Sequence, residues 1–475
     1  MHDMSDLPAG RQPVGSKWVF KVKHNADGSV ERYKARIVAK GYSQIEGLDY
    51  DETFAPVTRY DSLRLIIALA THLGLDTDQL DIKSAFLNGD LVEEIWMVPP
   101  PGIGLDGKIL RLDKALYGLK QAPLAWFEKL SEALAEIGFI SLPFDPCVFI
   151  SADHKIIVVV YVDDITTAGS RSDINRLIDH LRSRFKVTVK GSLKYILGIE
   201  IKHTPEGMEL SQHQYITNIL SRFGMDNCRP VSNPIDPKTS LVKASDSDPV
   251  FEQNLYQRMI GSLMYLVTCT RPDLAFSVSY LSRFSSHPLE RHHTAVKRVF
   301  RYLAGTRSMS LKYKRSPTSV PLSIVAFSDS DYASCRDTRR SVSGYAFMLN
   351  GCAISWLSKK QQSVASSTTE AEYMALATTS RQAVWYLNAF TQLGYTIPIT
   401  IMADNTSSIN VAENPINNPR TKHIDVAYHF TREHLIRKSF TLSYVPSNDN
   451  TADLMTKGLN SVAHHGHTQR LGLSE

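Results

Sequence analysis

Apolar and polar positions alternate with two different periods along this chain. Residues 156–162 are continuously apolar, rich in β-branched side chains and too few for a typical helix, which is typical of a buried strand. The run ends at two adjacent carboxylates, Asp163 and Asp164, and apolar residues resume at Ile165. The pattern therefore predicts two strands joined by a tight turn, with both carboxylates at its tip.

Near the N-terminus, apolar and basic residues alternate over residues 17–44. This pattern predicts a hairpin that turns at Ala26-Asp27-Gly28. The stretch can attract phosphates, although a solvated strand face is the simpler explanation of the same charges. Its seven basic residues are Lys17, Lys21, Lys23, Arg32, Lys34, Arg36 and Lys40.

Helical and strand periods continue through the first half of the chain. Apolar residues at helical spacing predict three helices: one capped by Asp61 or Ser62 and ending near Gly74, one beginning near Pro123 and ending at Gly138, and one capped by Ser172. Strands are predicted at residues 79–86, which carry Asp81, and at residues 193–201.

The second half contains two stretches with the composition of linkers, residues 227–250 and 314–321. Between them, residues 256–313 have a helical pattern that becomes basic towards its end, which favours a second phosphate-contacting surface. These basic residues are Lys297, Arg298, Arg301 and Arg307.

Acidic residues recur where the last predicted elements begin or end. A strand leads into Asp329 and Asp331, a helix from about Thr368 carries Glu370 and Glu372, a strand ends at Asp404, and a helix contains Asp453. Any one of these carboxylates is explained as a cap or a solvated charge. Their joint arrangement favours a shared site.

Composition limits the class of protein. The chain has 475 residues, 43% of them hydrophobic and 21% charged, with a net charge of +5, which predicts a globular protein of about three domains. We find no apolar run of membrane-spanning length and no secretory signal, so we expect an intracellular protein, cytoplasmic or nuclear, with no membrane partner. The five cysteines are scattered, which indicates neither a disulfide framework nor a zinc site.

Several long motifs resemble the reverse transcriptase and RNase H portion of copia-type retrotransposon polyproteins. They include YKARIVAKGYSQ, QLDIKSAFLNGDL, LYGLKQAPLAWF, YVDD, LGIEI, SDSDYA, SSTTEAEYMAL and RTKHIDVAYHF. The resemblance covers about residues 17–473. The resemblance implies an α+β fold: a right-hand polymerase of fingers, palm and thumb, then a helical connection and an α/β RNase H-like domain. The implied domains are residues 15–228 for fingers and palm with the start of the thumb, 229–322 for thumb and connection, 323–460 for RNase H, and 461–475 as a tail.

For the polymerase, the resemblance implies an RNA/DNA template-primer and deoxynucleoside triphosphates as partners. Asp81, Asp163 and Asp164 would hold two Mg²⁺ or Mn²⁺ ions, with Asp164 the least intimate ligand. The nucleotide-binding residues would be Lys34 and Arg36, which grip the triphosphate, Gln121, which lines the nucleotide pocket, and Phe86, which excludes a ribose 2′-hydroxyl. A plain core phenylalanine is the alternative for Phe86.

For the RNase H-like part, the resemblance implies a second pair of metal ions held by Asp329, Glu372, Asp404 and Asp453, with Asp331 and Glu370 as neighbours. Two other functions stay open: a retroelement remnant that binds nucleic acid without polymerising, and a nuclease that uses the RNase H-like part alone. The N-terminus resembles the middle of the fingers, so we expect a fragment. The sequence does not indicate an oligomeric state.

Overall fold

The computed structural model describes residues 2–3, 7–24, 29–243, 249–317, 320–413 and 425–475. The strands are β1 (His2–Asp3), β2 (Ser16–His24), β3 (Val30–Ala39), β4 (Asp76–Ile82), β5 (Asp90–Met97), β6 (Lys108–Lys114), β7 (Phe139–Leu142), β8 (Asp145–Ser151), β9 (Ile157–Tyr161), β10 (Asp164–Gly169), β11 (Val187–Ser192), β12 (Tyr195–Ile196), β13 (Ile199–Thr204), β14 (Gly207–Ser211), β15 (Ser310–Lys314), β16 (Ile324–Asp331), β17 (Val342–Leu349), β18 (Cys352–Lys360), β19 (Ile399–Ala403), β20 (Thr441–Tyr444) and β21 (Leu473–Ser474).

The helices are α1 (Tyr60–Leu73), α2 (Ala122–Ala135), α3 (Arg171–Arg184), α4 (His213–Arg222), α5 (Gln253–Cys269), α6 (Ala275–Ser282), α7 (Glu290–Gly305), α8 (Thr368–Gln392), α9 (Thr406–Glu413), α10 (Asp425–Ile436), α11 (Asp453–Thr456) and α12 (Ser461–Arg470). This mixture of helices and mainly antiparallel sheets confirms the predicted α+β class. None of the helices in the described ranges has the length and apolar character needed to span a membrane.

Two compact units make up the fold. Unit 1 comprises Met1–Arg59 and Asp76–Leu193, and unit 2 comprises Tyr60–Leu75 and Lys194–Glu475. Helix α1 comes directly before strand β4 in the sequence. The helix belongs to unit 2, whereas β4, which carries Asp81, belongs to unit 1.

Unit 1 is built on a six-stranded antiparallel sheet in the order β11-β4-β10-β9-β8-β7. Helices α2 and α3 pack Trp126, Leu130, Leu177 and Leu181 into a core shared with the sheet strands. A smaller sheet, β1-β6-β5, and the two-stranded hairpin of β2 and β3 complete the unit. The hairpin confirms the alternating pattern of residues 17–44, while its predicted Ala26-Asp27-Gly28 turn lies outside the described residues.

Unit 2 contains two five-stranded sheets. The first, β12-β13-β14-β15-β21, is antiparallel, and helices α4 to α7 form a separate apolar core in the same unit. The second has the order β18-β17-β16-β19-β20, in which β19 runs parallel to both β16 and β20. Helix α8 makes extensive contacts with β16 and β17.

Local boundaries differ from several sequence predictions. Helix α1 begins at Tyr60, so Asp61 and Ser62 lie inside it and do not cap it, and the strand predicted at residues 193–201 is divided into β12 and β13. The strand predicted at residues 79–86 ends at Ile82, because Ser84 adopts a left-handed backbone with φ +55° and Phe86 lies in a short 3₁₀ helix, Ala85–Asn88. Helix α3 begins before Ser172, and Ser170 caps it by accepting a hydrogen bond from the Asp173 amide. The predicted helical stretch of residues 256–313 ends in strand β15, where Tyr313 pairs with Met208.

Candidate active sites

The hairpin of β9 and β10 brings the first group of carboxylates together. Asp164 opens β10 directly opposite Asp81 of β4, and Asp163 lies in the turn between β9 and β10. The turn is held from both sides, because the Trp126 indole donates to the Val162 carbonyl at 2.6 Å and the Ile82 amide donates to the Asp163 carbonyl at 3.0 Å. The predicted strand, turn and strand are therefore confirmed.

Val162 adopts a strained backbone in this turn. Its φ is +55°, in the left-handed region that β-branched residues avoid. Strain of this kind persists where surrounding contacts fix the backbone, and it is common at functional sites. The strained residue directly precedes Asp163.

Lys190 balances part of the negative charge of this group. Its ammonium lies 3.2 Å from an oxygen of Asp81 and 2.9 Å from an oxygen of Asp164, and Gln79 donates to the same Asp164 oxygen at 3.2 Å. Burial raises the pKa of Asp163, and the charges of Asp164 and Asp81 raise it further. Sequence reasoning missed Lys190, because its proximity follows from the pairing of β11 with β4.

A cavity of about 680 Å³ opens beside Asp81 and Asp163. Lys34 and Arg36 of β3 also line it, so the structure brings together the predicted phosphate-gripping residues and two of the predicted metal ligands. Tyr117 is a further lining residue that the sequence did not single out, and the Arg36 guanidinium lies 4.8 Å from the centre of its ring. Acidic and basic side chains thus line the same cavity.

Phe86 and Gln121 take different places around this cavity. The Phe86 ring contacts the Tyr117 ring, with 4.7 Å between ring centres, and Tyr117 is the one of the two that lines the cavity. Gln121 is only 4% exposed, and its amide group is bonded to Gln44 at 3.0 Å and to the Asp49 carbonyl at 2.8 Å. Gln121 therefore fixes the loop before α1 in sequence and does not line the cavity.

The second group of carboxylates lies in unit 2, at the ends of two parallel strands. Asp329 is on β16, Asp404 follows the end of the neighbouring strand β19, and Asp453 opens α11. One oxygen from each of these three residues lies within 4.8 Å of the others. Within the described ranges, they are the one group of three or more histidine, cysteine, aspartate or glutamate side chains with this spacing.

Glu372 of α8 belongs to the same electrostatic environment. Burial raises its pKa to about 9, with further contributions from the charges of Asp329 and Asp404. Burial likewise raises the pKa of Asp329 to about 6. Crowded, desolvated carboxylates bind protons readily, and a divalent cation would relieve the same repulsion.

Lys457 contributes a positive charge that the sequence pattern did not predict. Its ammonium lies 2.8 Å from Asp453 and 4.0 Å from Asp329. The hydroxyl of Thr456 donates a hydrogen bond to Asp329. Both residues follow Asp453 on or next to α11, a short helix that packs against β16 and β17.

The neighbouring carboxylates have other partners. Glu370 accepts a hydrogen bond from the Ser366 amide at 2.7 Å, and its own amide donates at 3.2 Å to the hydroxyl of Ser367, which caps helix α8. Asp331 ends β16 and lines a different cavity from the one that Asp81 lines.

The sequence of this chain is similar to those of transposon polyproteins. A family model described as reverse transcriptase (RNA-dependent DNA polymerase) matches residues 1–237. The retrovirus-related Pol polyprotein from transposon RE1 of Arabidopsis thaliana is 40% identical over 97% of this chain, and that from transposon TNT 1-94 of Nicotiana tabacum is 40% identical over 96%. A putative transposon Ty5-1 protein of Saccharomyces cerevisiae is 31% identical over 63% of this chain and 99% of its own length. The chain belongs to the copia-type Pol family.

This copia-type chain spans 32% of the length of the RE1 polyprotein and 35% of the TNT 1-94 polyprotein. Among solved structures, the foamy viral protease-reverse transcriptase in complex with RNA/DNA hybrid is 13% identical over 91% of this chain and 50% of that chain, with a TM-score of 0.49. The N-terminal RNase H domain of rv2228c from Mycobacterium tuberculosis is 14% identical over 31% of this chain and 98% of that chain, with a TM-score of 0.23. Family membership therefore rests on the sequence relatives.

Proposed function

We propose that this chain is a DNA polymerase that copies RNA and DNA templates, and that it also cleaves the RNA strand of RNA/DNA hybrids. The observation that carries the polymerase proposal is that Asp81 and Asp163 line the same cavity as Lys34 and Arg36. A nucleoside triphosphate and its metal ions need this combination of oxygen ligands and basic side chains.

Asp81, Asp163 and Asp164 are suited to holding Mg²⁺ or Mn²⁺, two ions to the site, because carboxylate oxygens are the preferred ligands of these cations and the three repel one another without them. When bound, such ions lower the pKa of the primer hydroxyl and neutralise the charge on the leaving pyrophosphate.

The protein's own groups complete this site. Lys34 and Arg36 would bind the triphosphate, and stacking on Tyr117 holds the Arg36 guanidinium in place. Lys190 would hold Asp81 and Asp164 in position through its two short contacts. Catalysis would rest on positioning and on charge.

The same chemistry is proposed for unit 2, with water as the nucleophile. Asp329, Asp404, Asp453 and Glu372 would hold two divalent cations, which activate the water and stabilise the charge on the RNA phosphate. The fit is supported by the spacing of three carboxylates within 4.8 Å and by the raised pKa values of Asp329 and Glu372. Lys457 would keep Asp453 oriented through its ion pair.

Primer extension tests the polymerase proposal directly. Purified protein would be given poly(rA) with oligo(dT) primer and thymidine triphosphate, in Mg²⁺, in Mn²⁺ or in EDTA. We expect extension with either metal and none in EDTA. A folded protein that binds the template-primer without extending it in either metal would contradict the polymerase proposal and favour a remnant that only binds nucleic acid.

RNA cleavage needs its own assay. A hybrid with a 5′-labelled RNA strand would be incubated under the same conditions, with single-stranded RNA as control. We expect metal-dependent cleavage of the hybrid and none of the free RNA. Equal cleavage of both would indicate a contaminating ribonuclease and would count against this part of the proposal.

A further inference from the structure

Lys190 reaches the carboxylate group of unit 1 from an irregular point in strand β11. Val189 of β11 lies opposite Leu80 of β4, and Gly191 lies opposite Gln79. The register shifts between these two pairs, so Lys190 is the extra residue of a β-bulge. Gly191 has a φ of +78°, a left-handed conformation that glycine adopts at little cost. A bulge changes the direction in which a side chain leaves the strand, and the Lys190 side chain extends from this one to the carboxylate group.

The ammonium of Lys190 bridges two carboxylates from neighbouring strands. It lies 3.2 Å from the Oδ1 oxygen of Asp81 on β4 and 2.9 Å from the Oδ1 oxygen of Asp164 on β10. These two residues are directly opposite each other in the pairing of β10 with β4. Gln79 donates to the same Asp164 oxygen at 3.2 Å, so this oxygen receives two contacts. The lysine thus contacts two of the carboxylates that the proposed metal ions need.

An ammonium group and a divalent cation would compete at these two carboxylates. Mg²⁺ binds carboxylate oxygens at about 2.1 Å, which is closer than the Lys190 ammonium lies. A cation bound to Asp81 or Asp164 would therefore have a like charge a few ångströms away. Each of the three side chains is 40% exposed or less, so water screens this repulsion only in part. Lys190 also reduces the negative charge that attracts the cation.

A supporting role for Lys190 would have the opposite effect. If the lysine only held Asp81 and Asp164 in place, it would prepare the ligands and strengthen metal binding. The geometry favours competition, because one ammonium lies within 3.2 Å of oxygens from two different carboxylates, as a cation shared between them would. The two roles therefore predict opposite changes in metal affinity when the charge of Lys190 is removed.

We propose that Lys190 competes with the divalent cations for Asp81 and Asp164 and thereby sets the concentration of free metal at which the polymerase site fills. The inference rests on the proposed polymerase function of unit 1 and goes beyond the positioning of the two carboxylates. Lys190 acts on the reaction through these ligands. An incoming triphosphate adds negative charge beside the site, which favours a divalent cation over a singly charged lysine.

Manganese binding in the absence of nucleotide and template tests this competition. Electron paramagnetic resonance would measure free Mn²⁺ while the full-length protein is titrated at one neutral pH. Every protein would also carry Asp329→Asn and Asp404→Asn, which remove two of the proposed ligands in unit 2. Adding Asp163→Asn would show which of the remaining binding belongs to unit 1. We expect Lys190→Met to lower the dissociation constant for Mn²⁺ at this site about tenfold.

Matched variants separate the charge of Lys190 from its shape. Lys190→Arg keeps the charge and should keep the parental affinity within about threefold. Lys190→Gln removes the charge but keeps a hydrogen-bond donor, so it should bind Mn²⁺ more tightly, as Lys190→Met does. Lys186→Met, at an exposed lysine directly before β11, should have no effect. Thermal unfolding would show which variants are folded, and Lys190→Gln decides if Lys190→Met does not fold.

The outcomes also distinguish this inference from the function on which it rests. Weaker or unchanged Mn²⁺ binding in folded Lys190→Met and Lys190→Gln proteins would overturn the competition. Equally tight binding by Lys190→Arg would overturn it too, because the charge would then not be the cause. If the uncharged variants bind Mn²⁺ more tightly but the parent protein extends no primer, the polymerase proposal is wrong and the competition still holds.

Discussion

Two pairs of carboxylates in unit 2 have different surroundings although the members of each pair are close in sequence. Asp329 and Asp331 are two residues apart on β16, and Glu370 and Glu372 are two apart on α8. Burial and neighbouring carboxylates raise the pKa values of Asp329 and Glu372. The carboxylate of Glu370 instead accepts a hydrogen bond from the Ser366 amide at the start of helix α8. Asp329 belongs to the group of three carboxylates whose oxygens lie within 4.8 Å of one another, whereas Asp331 and Glu372 do not, so the assignment of Glu372 depends on its electrostatic interaction with Asp329 and Asp404.

Asp329→Asn and Glu372→Gln should therefore slow hydrolysis of an RNA/DNA hybrid by at least about a hundredfold, because each would remove a charge that faces the metal ions. Asp331→Asn and Glu370→Gln should stay within about tenfold of the parent. Initial rates at saturating hybrid would measure this difference. If a folded Asp331 or Glu370 variant proved slower than its partner, the assignment of the ligands would be wrong.

For Phe86, the open question is whether its ring limits the space for the sugar or only packs in the core. It contacts Tyr117 at 4.7 Å between ring centres, and Tyr117 lines the cavity beside Asp81. If the two rings together limit the space under the sugar, Phe86→Val should raise the use of ribonucleotides relative to deoxynucleotides about tenfold. The ratio of kcat/KM values for the two nucleotides would measure the change.

Phe127→Val is the matched control, because Phe127 packs on Phe149 in the core of unit 1 and is not a lining residue of the cavity. It should lower stability without changing the ratio. An unchanged ratio for Phe86→Val as well would assign Phe86 to the core alone.

At the level of elements, the sequence predicted helices and strands best where apolar residues kept one spacing, helical or alternating, without interruption. The β9 to β10 hairpin, helix α2 and the β2 to β3 ribbon all occur where the apolar spacing indicated. The errors fell at residues whose backbone depends on their surroundings, such as Ser84, where a left-handed turn ends β4 early. Lys190 and Lys457 could not be predicted, because their contacts with carboxylates depend on strand pairing and on the packing of α11.

Helix α1 illustrates the same limit, since its apolar pattern predicts a helix but not its neighbours. Arg64 of α1 is 3% exposed and donates to the carbonyl groups of Ile354 at 2.7 Å and Thr268 at 2.6 Å. Its guanidinium also lies 4.1 Å from the Trp356 ring centre. One side chain thus joins α1 to the end of α5 and to β18, within unit 2.

Arg64→Lys should lower the free energy of unfolding by about 2 kcal/mol or more, because a single ammonium cannot reproduce the planar fork and leaves buried carbonyl groups without donors. Urea unfolding followed by tryptophan fluorescence would measure the change. Arg258→Lys, at an exposed position of α5, should change stability by less than about 0.5 kcal/mol. Equal small effects would show that the contacts of Arg64 add little.

At the level of the whole molecule, the two carboxylate groups belong to different compact units. Asp81, Asp163 and Asp164 lie in unit 1, and Asp329, Asp404 and Asp453 lie in unit 2. Each group has its own lysine and its own supporting sheet. Two separately built sites predict two activities that can be removed one at a time.

Asp163→Asn should therefore reduce DNA synthesis by at least about a hundredfold, because it removes a charge needed at the proposed polymerase metal site, while hybrid cleavage stays within about twofold. Both activities would be measured on one preparation, by primer extension and by release of labelled RNA fragments.

Asp153→Asn is the matched control, since Asp153 is a solvent-facing aspartate of unit 1 that pairs with Lys155 at 3.1 Å. It should leave both activities intact. Loss of both activities in an Asp163→Asn protein that unfolds at the parental temperature would rule out independent sites and would mean that hybrid cleavage requires an intact polymerase centre.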